Sequence, residues 1–161
     1  MISTRTYLKE SNAIENVQAE SALEQALDAW AYLDDQDELT DKVVQRAHDI
    51  LLKERQPDIA GEYRSIEVFV GDSKPPLPGV IEPLMDNLLD WTPEDPLEAI
   101  EWHISFEQIH PFADGNGRIG RLLYLWHCKH VLNIEPIMWR SEDRQGYYEL
   151  FQSTTRMGIE H

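Results

Sequence analysis

The stretch Ile109-His110-Pro111-Phe112-Ala113-Asp114-Gly115-Asn116-Gly117-Arg118-Ile119-Gly120-Arg121-Leu122-Leu123 constrains this chain more than any other. Its Gly, Asn, Asp and Pro residues interrupt helical periodicity that is present on both sides, so it joins two helices through a loop of fixed shape. Pro111 disfavours a helical conformation at His110, which ends the first helix there and leaves the imidazole at the loop edge. Phe112, apolar in a polar loop, is expected to plug into the core. Gly115 and Gly117 allow backbone angles and close approach that other residues block. The amides opening the next helix then face outward, where the positive end of the helix dipole favours an anion.

On that scaffold the side chains form a phosphate-handling set. Asn116 can donate to an oxygen, and Arg118 and Arg121 offer planar forks one helical turn apart. Asp114 is a hard oxygen ligand suited to Mg²⁺ held on phosphates. His110, with an ordinary pKa of about 6.5, can take a proton from an attacking hydroxyl. Together these suit nucleotide transfer. No Gly-Lys-Ser or Gly-Lys-Thr follows the glycines, so a Walker loop is not the explanation.

The rest of the chain is acidic and mostly helical in pattern. Its net charge is −16 over 161 residues. Residues 1–100 hold 22 acidic and 8 basic groups (−14), whereas residues 101–161 hold 8 and 6 (−2), so anion chemistry belongs in the second segment. Such a surface excludes a general binder of nucleic acid or anionic membrane. The single cysteine, Cys128, forbids an internal disulfide and fits an inert buried thiol in a reducing compartment. No leader-like apolar segment opens the sequence and no apolar run approaches the ~20 residues that span a bilayer, which predicts a soluble, cytoplasmic protein.

Apolar spacing predicts one amphipathic helix from Ile14 to Leu33, then an acidic loop, Asp34-Asp35-Gln36-Asp37-Glu38. Thr40 reads as the N-cap of a helix placing Val43, Val44, Ala47, Ile50 and Leu51 on one face. Ser65-Ile66-Glu67-Val68-Phe69-Val70 alternates at period two and is closed by Gly71-Asp72-Ser73 and Pro75-Pro76-Leu77-Pro78, which predicts a short strand or hairpin. Further helices are expected over 80–89, 96–109, 118–132 and 141–152. The five tryptophans are spread along the chain, as core anchors would be. A mostly α, single-domain chain follows, over 1–161.

His110-x-Phe112-x-Asp114-Gly115-Asn116-Gly117-Arg118-x-x-Arg121 meets every specified position of H-x-F-x-[DE]-G-N-G-R-x-x-R, so the chain resembles the Fic family. The likeness extends upstream through Gly61-Glu62-Tyr63-Arg64 and the hairpin at about 62–79, which resembles that family's flap. The resemblance implies a Fic helical bundle with a short β-hairpin flap, the catalytic loop and helix lying at 110–132. It implies transfer of AMP from ATP to a Ser, Thr or Tyr hydroxyl of a target protein, with release of pyrophosphate. By that likeness His110 is the base and Asp114 holds Mg²⁺. Asn116 takes the α-phosphate, Arg118 the β-phosphate and Arg121 the γ-phosphate, and the amides around Gly115 and Gly117 complete the anion hole. Val68 and Phe69 of the flap would clamp the target as an added strand. Tyr147, Tyr148 and Leu150 are expected either to line the adenine pocket or to pack in the core.

Ser11-Asn12-Ala13-Ile14-Glu15-Asn16 fits the family's inhibitory pattern [ST]-x-x-x-E-[GN] in the N-terminal placement called class II, on a helix spanning about 11–33. The resemblance implies that Glu15 pairs with Arg121 and puts a carboxylate where the γ-phosphate must go. Asn16 stands where glycine is commoner. A homodimer masking this helix is a further implication.

Other readings stand beside these. Glu15 and His110 could instead remove AMP from a modified protein, or the fold could be a nucleotide-binding regulator without turnover. His127, Cys128 and His130 invite a zinc site but lack a further ligand from sequence. His48 and His103 read as packing or surface residues. Pro75-Pro76-Leu77-Pro78 serves either to stiffen the hairpin or as a proline-helix ligand.

Overall fold

The computed structural model describes residues 3–139. Six α-helices organise them: α1 (Thr4–Ile14), α2 (Glu20–Asp34), α3 (Asp41–Leu52), α4 (Ile81–Leu89), α5 (Pro96–Ile109) and α6 (Asn116–Trp126). Side-chain caps fix three of the starts. Ser3 accepts from the Thr6 N–H, Thr40 from Val43 and Asp95 from Glu98, and in α5 Pro96 occupies the first turn, where its missing N–H costs nothing. Each such cap stabilises its helix by about 1 kcal/mol.

The apolar faces converge on α5 and α6. Trp102, Phe106 and Ile109 of α5 meet Ile119, Leu122 and Leu123 of α6, and α2 and α3 close the layer with Leu23, Trp30, Leu33, Val44 and Leu51. The Trp102 indole donates to the Leu88 carbonyl at 3.0 Å, fastening α4 to α5. Trp30, Trp102 and Trp126 are buried in this core, with Trp91 packed at its edge. Trp139 joins a smaller cluster around Ala99, Tyr124 and Cys128. No helix among the described residues is long and apolar enough to cross a membrane.

Three sequence expectations are corrected. The helix expected from Ile14 to Leu33 is two helices. The chain turns at Asn16, whose φ is +59°, while the Asn16 N–H bonds the Ala13 carbonyl at 3.0 Å and the Val17 N–H bonds Asn12 at 2.9 Å. This is a Schellman ending, in which the residue after the cap must be left-handed. Glycine and asparagine take that conformation most cheaply, which accounts for the alternatives at this position of the pattern. The whole of α1 escaped the periodicity, because Thr4, Arg5 and Thr6 dilute its apolar stripe.

The flap at 62–79 is not a hairpin in the described residues. Its sole pairing is an isolated bridge between Val70 and Ser73. Extending that ladder would next require an N–H from residue 75, and both Pro75 and Pro76 lack one, so the alternating arm has no partner strand. Finally, α6 begins two residues earlier than expected, at Asn116. Past Trp126 it widens into a π-helical segment, His127–Leu132, that ends at left-handed Asn133. The helix expected over 141–152, with Tyr147, Tyr148 and Leu150, lies outside the described residues.

Candidate active site

The loop between α5 and α6 is built around two left-handed residues. His110 closes α5 with φ +51°, and Gly115 opens α6 with φ +82°. Pro111 denies His110 a right-handed helical continuation, so the chain reverses there. At Gly115 a side chain is excluded twice over, by the angle and because a Cβ would lie 2.8 Å from the Leu52 Cδ1 and 3.3 Å from the His48 Nε2. Phe112 is fully buried, as expected, and anchors the loop with about 2–3 kcal/mol of apolar burial.

Asn116 takes a different post from the one its sequence context suggests. Its Oδ1 accepts from the Phe112 N–H at 2.9 Å and its Nδ2 donates to the Phe112 carbonyl at 2.8 Å. The amide therefore staples the loop. What Asn116 offers an anion is its backbone N–H, which with those of Gly117 and Arg118 precedes the first intrahelical bond of α6, from Ile119 to Gly115.

His48 of α3 lies under the loop. Its ring stacks on Phe112 with centroids 3.7 Å apart, its Nε2 donates to the Asp114 carbonyl at 2.8 Å and its Nδ1 accepts from the Gly61 N–H at 2.9 Å. Those two bonds specify a neutral imidazole, and burial pushes its pKa down to about 4. Gln56, just beyond α3, donates to the Asp114 Oδ2 at 2.8 Å. Burial pushes the Asp114 carboxyl up. The bonds from Gln56 and the Gly115 N–H, with Arg118 nearby, outweigh that and hold it below the ordinary carboxylate value. Asp114 is thus an ionised, outward-facing carboxylate.

The His110 imidazole is kept neutral chiefly by burial, which lowers its pKa. Its Nδ1 lies 3.4 Å from the Glu107 carbonyl, so a proton on Nδ1 leaves Nε2 free to accept another. Arg118 is buried, and its Nε has no hydrogen-bond partner among the described residues. A guanidinium N–H desolvated without an acceptor is costly unless an oxyanion comes to meet it, so this donor set fits a phosphate.

Arg121, by contrast, has partners at its Nε and at one terminal nitrogen. Its Nε donates to the Ser11 Oγ at 2.7 Å, one terminal nitrogen donates to the Ser11 carbonyl at 2.9 Å, and that nitrogen also forms an ion pair with the Glu15 carboxylate. Tyr7 adds a bond from its hydroxyl to the Arg121 carbonyl at 3.3 Å. The Glu15 oxygens also lie against the start of α6: a Cβ on Gly117 would sit 3.0 Å from both. Gly117 is therefore the bare patch of helix on which this carboxylate rests. Glu107 faces the same arginine from α5, with its carboxyl raised to about 8 by burial.

The structure thus gathers His110, Asp114, Gly115, Asn116, Gly117, Arg118, Arg121, Ser11 and Glu15 at one place. It keeps Val68 and Phe69 apart on the exposed flap, where Phe69 is 71% accessible. His127 packs edge-on to Trp102 and His130 reaches Asp34 at 2.8 Å, while both rings also lie against Trp126. The packing reading of His48 holds, its ring being fully buried against Phe112, but its bond to the loop, and Gln56 and Glu107 altogether, are absent from the sequence reading. A histidine on the apolar face of α3 was the only signal available for His48.

The Fic/DOC family pattern covers residues 38–128. The chain belongs to the Fic/DOC family. A protein adenylyltransferase Fic from Nematostella vectensis is 40% identical over 109 residues, covering 63% of this chain and 25% of that protein. One of the same name from Aedes aegypti is 32% identical over 123 residues, 72% of this chain and 24% of its own. The chain therefore spans about a quarter of the length of the curated Fic relatives it matches. Among solved structures, Fic-1 from C. elegans superposes with a TM-score of 0.79 at 22% identity, over 98% of this chain and 59% of its own. A Fic domain containing signaling protein from Bacteroides thetaiotaomicron gives 0.78 at 21%, over 92% and 70%.

Proposed function

We propose that this chain is a protein adenylyltransferase held inactive by Glu15. The observation that carries the reading is the contrast between two arginines one turn apart on α6. Arg118 presents a buried N–H with no acceptor among the described residues, whereas Arg121 is held by Ser11 and Glu15.

In this reading the α6 amides and Arg118 take the inner phosphates of ATP, and Asp114 would hold Mg²⁺, whose charge, when bound, offsets that of the phosphates. The Nε2 of His110 accepts the proton of a target Ser, Thr or Tyr hydroxyl as its oxygen attacks the α-phosphorus. A P–O bond to that oxygen forms, the bond to the bridging oxygen breaks, and pyrophosphate departs with its electron pair. Arg121 is the natural partner of the γ-phosphate, but the Glu15 carboxylate occupies it. ATP then meets a negative charge where its outermost phosphate needs a cation.

Intact-protein mass spectrometry and labelling from ATP carrying a labelled α-phosphate test this. Wild type with MgATP should label weakly. Glu15→Gly should label itself or lysate proteins strongly, in steps of one AMP, and adding His110→Ala should abolish the label. Glu15→Gly remaining as silent as wild type on both acceptors would refute the inhibitory role.

A further inference from the structure

Building on the transferase reading, the structure assigns Arg64 as the positioning residue that closes the target-docking flap onto the catalytic loop, its guanidinium standing in for the β-ladder the flap lacks. Arg64 is 5% exposed, and every acceptor it finds is a backbone carbonyl. Its Nε donates to His110 at 2.6 Å. One terminal nitrogen donates to Ile66 at 2.8 Å, and the other to Pro76 at 2.6 Å and Ile109 at 3.3 Å. Its own backbone N–H donates to Pro111 at 2.8 Å. Four carbonyls from three separate stretches therefore meet on one planar group: the end of α5, the first flap arm and the second.

The arms have little else between them. Their backbones exchange bonds only at Val70 and Ser73. The Glu67–Lys74 pair at 3.3 Å joins two half-exposed side chains and adds little in water. Pro75 and Pro76 cannot donate, but the Pro76 carbonyl can accept, and Arg64 supplies the donor that a partner strand would otherwise provide. Val68 and Phe69 lie between this clamp and the turn at Gly71, so their placement relative to His110 is set by the guanidinium.

Among the described residues Arg64 has no carboxylate within ion-pair distance. Its charge faces the carbonyl end of α5, where a cation is favoured by the helix dipole. Because the His110 carbonyl is one of the four, the left-handed turn at His110 and the seating of the flap are held by the same group. A lysine cannot replace it, since an ammonium is a point donor that lacks the planar fork reaching separate directions.

The test compares wild type with Arg64→Lys and Arg64→Gln. Chymotrypsin cleavage after exposed Phe69, followed by mass spectrometry, reports flap closure without any need for activity. Both variants should melt cooperatively yet be cut about tenfold faster at Phe69 than wild type, as a local opening would be. With Glu15→Gly added, lysate protein labelling should fall about tenfold through misplacement of the acceptor, while MgATP affinity by calorimetry stays within about twofold. Unchanged cleavage at Phe69 in a folded variant would overturn the assignment, as would loss of MgATP affinity in step with labelling. Loss of the cooperative melt in both variants would make Arg64 a residue of the core and overturn it too. If Glu15→Gly alone labels nothing, the transferase reading fails, and cleavage still decides the clamp.

Discussion

Replacing Asn16 isolates the backbone turn from the chemistry of Glu15, which caps α1 immediately before it. Asn16 holds φ at +59° and contributes the N–H of one of the two bonds that end α1. A left-handed conformation costs a residue with a Cβ about 1–2 kcal/mol, less for asparagine and essentially nothing for glycine. Asn16→Ala should therefore strain the turn by about 1 kcal/mol relative to wild type. The strain is relieved if the last turn of α1 frays, and fraying lifts Glu15 off Arg121 and Gly117. A shift of about 1 kcal/mol changes the ratio of displaced to seated carboxylate roughly fivefold.

The assay is calorimetric MgATP affinity together with the rate of AMP labelling, measured on Asn16→Ala and Asn16→Gly side by side. Alanine should raise both about fivefold, and glycine, which suits the turn better, should leave them within about twofold of wild type. Neither variant alters an atom of Glu15, Ser11 or Arg121. Equal behaviour of alanine and wild type, or a glycine variant looser than the alanine one, would refute the claim that the turn seats the inhibitor.

Acid should weaken the fold well above the range where carboxylates titrate. Burial depresses His48 to about 4, His103 to about 3 and His127 to about 4, whereas an unfolded imidazole titrates near 6.5. As pH falls from about 6.5 toward 4 the unfolded chain gains protons that the native chain refuses, so stability drops. Glu107, raised to about 8, has the opposite sign, because above about 4.3 the native chain keeps a proton that the unfolded chain releases; it offsets one histidine of the three. Urea unfolding at pH 5 should give a stability about 1–3 kcal/mol below that at pH 7, and a flat profile would contradict the neutral burial of these rings. At the loop, Gln56→Ala removes the side-chain donor that orients Asp114. It should raise the Mg²⁺ concentration for half-maximal ATP binding about tenfold with little change in thermal stability, and an unchanged Mg²⁺ requirement would assign Gln56 to the surface.

How much of this could be read in the sequence depended on whether the controlling interactions were local. The limits of α5 follow from Asp95-Pro96 and His110-Pro111, each a matter of one or two residues, and the pattern placed them correctly. The buried Phe112 and the loop glycines were legible for the same reason. The Glu15–Arg121 pairing joins residues 106 positions apart and was reached through the family likeness; periodicity had even fused α1 and α2 across the turn that makes it possible. The bonds from His48 and Gln56 to Asp114 are not legible in the sequence, because they depend on α3 passing beneath the loop, a fact of packing.

The flap is the instructive failure. Alternation in Ser65–Val70 is a signal that a strand could form, but a strand exists only if a second backbone supplies complementary donors. The same sequence carries the veto in Pro75-Pro76, whose missing N–H groups leave that arm without donors. With those donors missing, the carbonyls of Ile66 and Pro76 are met instead by the guanidinium of Arg64. A buried arginine with no carboxylate in ion-pair range among the described residues, directly before a broken alternating arm, is thus the feature that turns a failed hairpin into a clamp. The protein's net charge of −16 is consistent with the proposed anionic substrate for a related reason. Arg118 and the amides of α6 are concentrated within one turn of helix, and at hydrogen-bond range they outweigh charges spread over a screened surface.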